Sequence, residues 1–353
     1  MINLQNLKKI KRSREVDIRD FEKGIRADRN EKVENWPRKI FSKIFNKIKN
    51  HEFTSYYDTS QLSILENKIG KFFKINRENF VINHGGDGVI KEFLLLNYKK
   101  NLKVLINGNN YGMYSVYLKG LKIKKYEAPY LVNLKKENLL SLDYKFFNEN
   151  IKKSNIVIIT FPNVVSNFDF RVSEINHLCK KYSQKKFFID ESYFGFGHPT
   201  CLPLIKKNKN LFVLRSITKT FGLASSRVGF LISHRDSIKP FKALETPYPL
   251  SLFSGKCLEF FIKNKKILNE YNRKVKIGRE YFCKHLKMKN YLVNNGSGLS
   301  ILIYFSSKNE INKIFKKLIK NKIYTKTINI GKFNFLIITF APKNTMDKIL
   351  KFF

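Results

Sequence analysis

Six short apolar runs mark the middle of this 353-residue chain: 80–83, 104–107, 156–160, 187–190, 212–215 and 228–233. Longer helical or loop segments separate most of them. The last gap is shorter and contains Lys219. Strands apolar along their whole length are buried on both faces, and their alternation with helices gives a parallel sheet covered on each side. The expected fold class is therefore α/β, a large domain with a mostly parallel central sheet covered by helices. Before it, Leu62, Leu65, Ile69, Phe72 and Phe73 follow helical spacing. After about residue 250 the pattern changes to a helical stretch over 251–288, strands near 299–305 and 334–340, and helices near 308–320 and 344–352. The expected division is a polar, basic arm over 1–50 that contributes to the small domain and substrate pocket, a large domain over 51–250, and a small α+β domain over 251–353.

Lys and Arg number 68 against 28 Asp and Glu, a formal net charge of +40. Such a surplus raises nucleic acid as a partner. The lysines are scattered, however, and travel with abundant Asn, Ile and Phe, as in the codon usage of an AT-rich genome. The first 50 residues show no clear helix-turn-helix. We expect no nucleic-acid and no membrane partner, and a field that attracts anionic small molecules. Cys179, Cys201, Cys257 and Cys283 form no C-x-x-C or zinc-type spacing, so neither a disulfide scaffold nor a metal site is expected. No stretch approaches the roughly 18 apolar residues of a membrane span, and the N-terminus shows no apolar core of signal-peptide length. A cytoplasmic protein is the expectation.

Open α/β sheets bind ligands at the carboxyl ends of their strands. After the first run comes His84-Gly85-Gly86-Asp87-Gly88, ahead of an apolar helix beginning at Val89. Glycines that open a helix can cradle a phosphate with backbone N–H groups, or can simply make a tight turn. After the third run comes Phe161-Pro162-Asn163, and the fourth leads into Asp190-Glu191-Ser192-Tyr193. After the fifth come Ser216, Thr218 and Lys219, with Arg227 eight residues beyond Lys219. Each alone has a bland reading as helix cap, turn or surface residue. Together they place one Asn, Asp, Tyr, Lys and Arg at one sheet edge. A Lys amine can form a Schiff base with an aldehyde. A carboxylate can keep a pyridinium nitrogen protonated. Tyr and Asn can bond a phenolate, while Ser, Thr, Arg and a glycine turn can bind a phosphate. These are the parts needed to hold pyridoxal 5′-phosphate.

The chain resembles the fold-type-I, pyridoxal-phosphate-dependent aminotransferases of class I/II, and within them the histidinol-phosphate aminotransferase branch. The segments that carry the likeness are 84–96, 110–123, 160–168, 187–196, 213–233 and 247–251. The spacings also match: 27 residues from Asn163 to Asp190, 3 to Tyr193, 29 from Asp190 to Lys219, and 8 to Arg227. The resemblance implies that Lys219 is the Schiff-base lysine and general base, and that Asp190 pairs with the pyridine nitrogen. It implies that Tyr193 and Asn163 bond the phenolic oxygen and that Tyr111 stacks on the ring. Gly86 and Asp87 would give backbone N–H groups to the phosphate, with Ser216, Thr218 and Arg227 completing the cup. Tyr56 matches a tyrosine that reaches into a partner's site, which implies a homodimer with shared active sites.

Three departures from the family pattern bear on the phosphate cup and on the substrate. Thr218 stands where the family usually has Ser, which keeps the hydroxyl. Ile337, in Phe335-Leu336-Ile337-Ile338-Thr339-Phe340, occupies the position of the arginine that forks the substrate α-carboxylate. A second family arginine, near Ile323–Lys326, is also absent, though Lys326 lies close by. An apolar side chain cannot bind a carboxylate, and Lys does not replace a bidentate Arg. Two inferences compete. The small-molecule amine or carbonyl substrate carries no α-carboxylate and is a phosphorylated or phosphono compound, or another cation, with Arg29 as candidate, has taken over. Transamination is the leading reaction. A decarboxylase of an amino acid phosphate and histidinol-phosphate transamination are the alternatives. Ser216-Ile217-Thr218-Lys219 also fits a Ser-x-x-Lys acyl enzyme but lacks that class's companion motifs.

Overall fold

The computed structural model describes residues 19–166, 169–294 and 298–353; the first 18 residues of the expected arm and Asn167 of the loop after the third run lie outside them. All six apolar runs are strands, and a seventh joins them. In chain order they are β1 (Phe80–His84), β2 (Lys103–Asn107), β3 (Lys124–Ala128), β4 (Ile156–Thr160), β5 (Lys186–Asp190), β6 (Leu211–Ser216) and β7 (Val228–Ser233). Their order in the mixed, mostly parallel sheet is β1-β7-β6-β5-β4-β2-β3. Every residue of β4, β6 and β7 is buried, which is why these runs are apolar throughout. β3 (Lys-Lys-Tyr-Glu-Ala) escapes the sequence reading because it is an edge strand with only Ala128 buried. β7 runs antiparallel to both β1 and β6. The short gap before it has no room for the crossover of a dozen or more residues that a parallel return requires.

The chain divides into two compact units: Met1–Glu34, Asn97–Arg171 and Arg273–Phe353 in one, Asn35–Leu96 and Val172–Asn272 in the other. The second unit contains β1, β5, β6 and β7. Its helix Thr59–Phe73 buries Leu62, Leu65, Ile69 and Phe73 on one stripe. Asp58 caps it by accepting from Ser60 N at 2.7 Å, and Lys74 ends it in the left-handed region at φ 58°. The core is aromatic, with Phe93 packed on Phe188 and Phe212 at centroid distances of 4.6 and 5.1 Å.

The first unit contains β2, β3 and β4 and a separate antiparallel sheet. Its strands are β8 (Val293–Asn294), β9 (Ser300–Phe305), β10 (Lys326–Ile330) and β11 (Phe333–Thr339), in the order β8-β9-β11-β10. Residues 25–30 of the arm are stitched to the C-terminal part of this unit. Ile25–Arg26 pairs in parallel with Ile323–Tyr324. Thr339 N donates to Ala27 O at 2.9 Å, and Asn30 N donates to Thr339 Oγ1 at 3.1 Å. The helical stretch expected over 251–288 is two helices, Leu252–Lys263 and Lys265–Met288.

One glycine fixes how closely β7 approaches its neighbour. Gly229 lies opposite Asn83 on β1 and Ser216 on β6. A Cβ there would come within 2.5 Å of both Gly85 C and Gly85 O, which are backbone atoms that cannot rotate away. Gly229→Ala should lower stability by about 1–3 kcal/mol, measured by urea unfolding of the purified protein; an unchanged midpoint would show that this approach is not tight.

Candidate active site

β1 ends at His84 and the helix Gly85–Leu96 starts without a linker. The sequence reading put the glycines before a helix starting at Val89; they are instead its first turn, because Gly85 supplies a positive φ of 68° at the junction. The first N–H groups of such a helix have no intrahelical partner and carry its positive dipole end. The absent Cβ of Gly85 makes room for a guanidinium: a methyl there would lie 2.8 Å from Arg227 Nη2. Arg227 is held in the left-handed region at φ 49°. Its Nη2 donates to Asp87 Oδ2 at 2.8 Å, while Asp87 Oδ1 is buried without a hydrogen-bond partner. Ser216 Oγ accepts from Thr218 N at 3.3 Å and lies 2.9 Å from Thr218 Oγ1 and 3.2 Å from Val228 O. A guanidinium, two hydroxyls and a helix start thus gather around the ends of β1, β6 and β7. This donor set fits a phosphate monoester.

The same unit presents the next group. Asp190 ends β5 and is 7 % exposed. Its Oδ1 accepts from Ser192 N at 3.0 Å and Ser192 Oγ at 2.5 Å, so one carboxylate oxygen is fixed by its own turn. Asp190 lies in register with Leu214 on β6. A Cβ on Gly86 would lie 3.7 Å from Leu214 Cδ2 and 3.8 Å from Ser192 Oγ, so the glycine turn rests on the residues beside Asp190. Tyr193 and Lys219 are half-buried; Lys219 stands in the short helix Ile217–Thr220 that Ser216 caps. Sequence reasoning missed Ser192, although it sits inside the quoted Asp-Glu-Ser-Tyr run. Tyr56, in this unit, is 77 % exposed and stacks on Tyr248 at 4.5 Å.

In the other unit Asn163 is 1 % exposed and bound into its own loop. Its Nδ2 donates to Thr160 Oγ1 at 2.7 Å and Gly108 O at 3.1 Å, and its Oδ1 accepts from Val165 N at 2.9 Å. Both amide N–H groups are therefore committed. The network continues through Asn107, whose Oδ1 accepts from Thr160 N at 3.0 Å and whose Nδ2 donates to Asp169 Oδ2 at 3.0 Å. Ser166 Oγ donates to Asp169 Oδ1 at 2.8 Å, and Tyr130 donates to Oδ2. Burial pushes the Asp169 carboxyl above its usual range against these three bonds. The sequence reading did not single out Asp169, which carries no motif. Tyr111 is 46 % exposed and immediately precedes the helix Gly112–Gly120, without a capping bond from its side chain.

The substrate candidates also lie in this unit. Ile337 on β11 is buried, in register with Leu302 and Lys326. Lys326 is exposed on β10. Arg29 is largely exposed, with Nε 3.4 Å from Asp28 Oδ2. The neighbouring Asn30 is hydrogen-bonded to Thr339, two residues beyond Ile337 and on the same face of β11. Among the described residues no group of three His, Cys, Asp or Glu could hold a metal ion, and no helix is long and apolar enough to cross a membrane. All four cysteines are unbridged and buried.

Residues 27–352 match the family described as aminotransferase class I and II. A histidinol-phosphate aminotransferase of Clostridium novyi is 28 % identical over 327 residues, which cover 90 % of this chain and 88 % of that protein. Two solved structures share the fold. A histidinol-phosphate aminotransferase from Sinorhizobium meliloti in complex with pyridoxal-5′-phosphate aligns with TM-score 0.79 at 14 % identity, over 92 % of this chain and 89 % of that one. An L-threonine-O-3-phosphate decarboxylase from Porphyromonas gingivalis aligns with TM-score 0.76 at 13 % identity, over 93 % and 98 %. The match over nearly the whole length, together with the donor cup and the carboxylate beside it, assigns the chain: it belongs to the class I and II aminotransferase family.

Proposed function

We propose that this aminotransferase uses pyridoxal 5′-phosphate to move an amino group to or from a small substrate that bears a phosphate or phosphonate and lacks an α-carboxylate. The observation that carries the substrate reading is Ile337, a buried aliphatic side chain where the family resemblance places a carboxylate-binding arginine.

The cofactor supplies an electron sink when bound. Gly86, Asp87, Ser216, Thr218 and Arg227 hold its phosphate, with Asp87 keeping the Arg227 guanidinium in place. Asp190, already oriented through Ser192, holds a proton on the pyridine nitrogen. Lys219 is the amine that would hold the cofactor's aldehyde carbon and that, once displaced by the substrate's amine, would be free to take up and return the proton. Tyr193 donates to the ring oxygen. Asn163 reaches that oxygen only by releasing Thr160 or Gly108. Tyr111 stacks on the ring. Arg29 and Lys326 are the cations for the substrate's anionic group. Residues 51–250 form the cofactor domain and 251–353 the small domain, with 1–50 as the arm. The exposure of Tyr56 suits a residue that reaches a second copy in a homodimer. The enzyme works in the cytoplasm on small molecules alone.

Arg227→Met should weaken binding of pyridoxal 5′-phosphate by at least about ten-fold while leaving binding of unphosphorylated pyridoxal unchanged, read by absorbance titration. Equal losses for both would place Arg227 outside the phosphate cup. The substrate reading is tested by adding amines to the cofactor-loaded enzyme in single turnover. A short amino alcohol phosphate should convert the cofactor band to the amine form, and glutamate should not. Conversion by glutamate alone would sink the reading; conversion by histidinol phosphate, which is itself a phosphorylated amino alcohol without a carboxylate, would support it and narrow the substrate; and carbon dioxide release from an amino acid phosphate with the band restored would mean decarboxylation. Ile337→Arg should raise kcat/KM for glutamate by about ten-fold; no gain would remove Ile337 as the cause of the exclusion.

A further inference from the structure

Behind the cofactor residues lies a buried ion pair to which the reading above gives no task. Glu191 directly follows Asp190, and Arg215 directly precedes Ser216. Their side chains are 2 % and 9 % exposed. Arg215 Nε and Nη2 donate to Glu191 Oε2 at 3.1 and 2.9 Å. Nη2 also donates to Thr200 Oγ1 at 2.8 Å, and Thr200 Oγ1 lies 2.8 Å from Glu191 Oε2. Cys201 N donates to Glu191 Oε1 at 2.6 Å. The guanidinium carbon lies 4.5 Å from the Phe194 ring centroid and 5.0 Å from that of Phe73, a double cation–π contact. Along a strand, side chains alternate between faces. Leu214 and Ser216 therefore share the face against the glycine turn, and Arg215 points to the opposite face.

A buried ion pair contributes little net stability, because desolvation offsets its attraction. Its geometry, by contrast, is specific. A guanidinium that spends two donors on one carboxylate oxygen fixes both distance and angle. Here it joins the end of β5 to the end of β6, one residue from Asp190 and one from Ser216. We propose that Glu191 and Arg215, bridged by Thr200, are positioning residues that set the spacing between Asp190 and Ser216, and so between the pyridine-nitrogen and phosphate anchors of one cofactor. The pair acts through its neighbours from the back of the sheet and touches no substrate. This inference rests on the cofactor site proposed above.

The test uses the full-length protein. Arg215→Lys keeps the charge but loses the fork. The double variant Glu191→Gln/Arg215→Met removes both charges together, avoids a lone buried ion, and leaves an acceptor for Cys201 N. Thr200→Val removes the bridge alone. Each is measured for melting temperature, for pyridoxal 5′-phosphate affinity, and for the circular dichroism of the bound cofactor band, which reports how rigidly the ring is held. Arg215→Lys and the double variant should bind the cofactor about ten-fold more weakly and lose most of the induced dichroism, as expected when an anchor is misplaced by a fraction of an ångström. Thr200→Val should lose part of both. Folded variants that keep wild-type affinity and dichroism would overturn the proposal. If the variants at 191 and 215 do not fold, Thr200→Val decides, and a wild-type signal there overturns it as well. A wild-type protein that binds no cofactor would overturn the functional reading itself, and the positioning role with it.

Discussion

The pairing of β5 with β6 is the constraint on which the cofactor half of the site depends. Parallel strands end together, so Asp190 and Leu214 lie side by side although 24 residues separate them. The chain leaves those two ends in tight turns that carry Ser192 and Tyr193 on one side and Ser216, Thr218 and Lys219 on the other. β7 then returns antiparallel beside β6, which brings Arg227 to the start of the glycine-opened helix. Each of these groups stands within three residues of a strand end, and the strand ends are held by backbone hydrogen bonds.

The same frame explains which parts were legible in the sequence. Strands buried on both faces must be apolar throughout, so 156–160, 187–190 and 228–233 announce themselves. An edge strand has no such requirement, and Lys124–Ala128 reads as a solvated loop. Local spacing identified the helix Thr59–Phe73 but not the true start of Gly85–Leu96, since glycine breaks the helical pattern while serving as a hinge at positive φ. The short pairing of Ile25–Arg26 with Ile323–Tyr324 depends on contacts across nearly the whole chain, to which periodicity is blind.

Site residues divide in the same way. Asp190, Tyr193, Ser216, Lys219 and Arg227 stand out in the sequence because strand ends are where ligands bind and because their residue types suit one cofactor, and the fold places all five in one compact unit. Arg227 and Asp87 are 140 residues apart, and nothing local says that they pair. Glu191 and Arg215 look like ordinary solvated charges in a chain with a formal surplus of 40 positive charges, yet they are enclosed by Phe73, Phe194 and Thr200. Asn163 was read as a donor to the cofactor, and the structure adds that its amide already takes part in a network through Thr160, Asn107 and Asp169. Only the folded loop reveals how many of an amide's donors are already taken.

The central claim is that Lys219 carries the cofactor. The most direct measurement is to load the protein with pyridoxal 5′-phosphate, reduce it with borohydride, digest it, and locate the pyridoxyl group by mass spectrometry. The account predicts a single modified peptide labelled at Lys219, with no label in Lys219→Ala. A label confined to other lysines, or none at saturating cofactor, would contradict it.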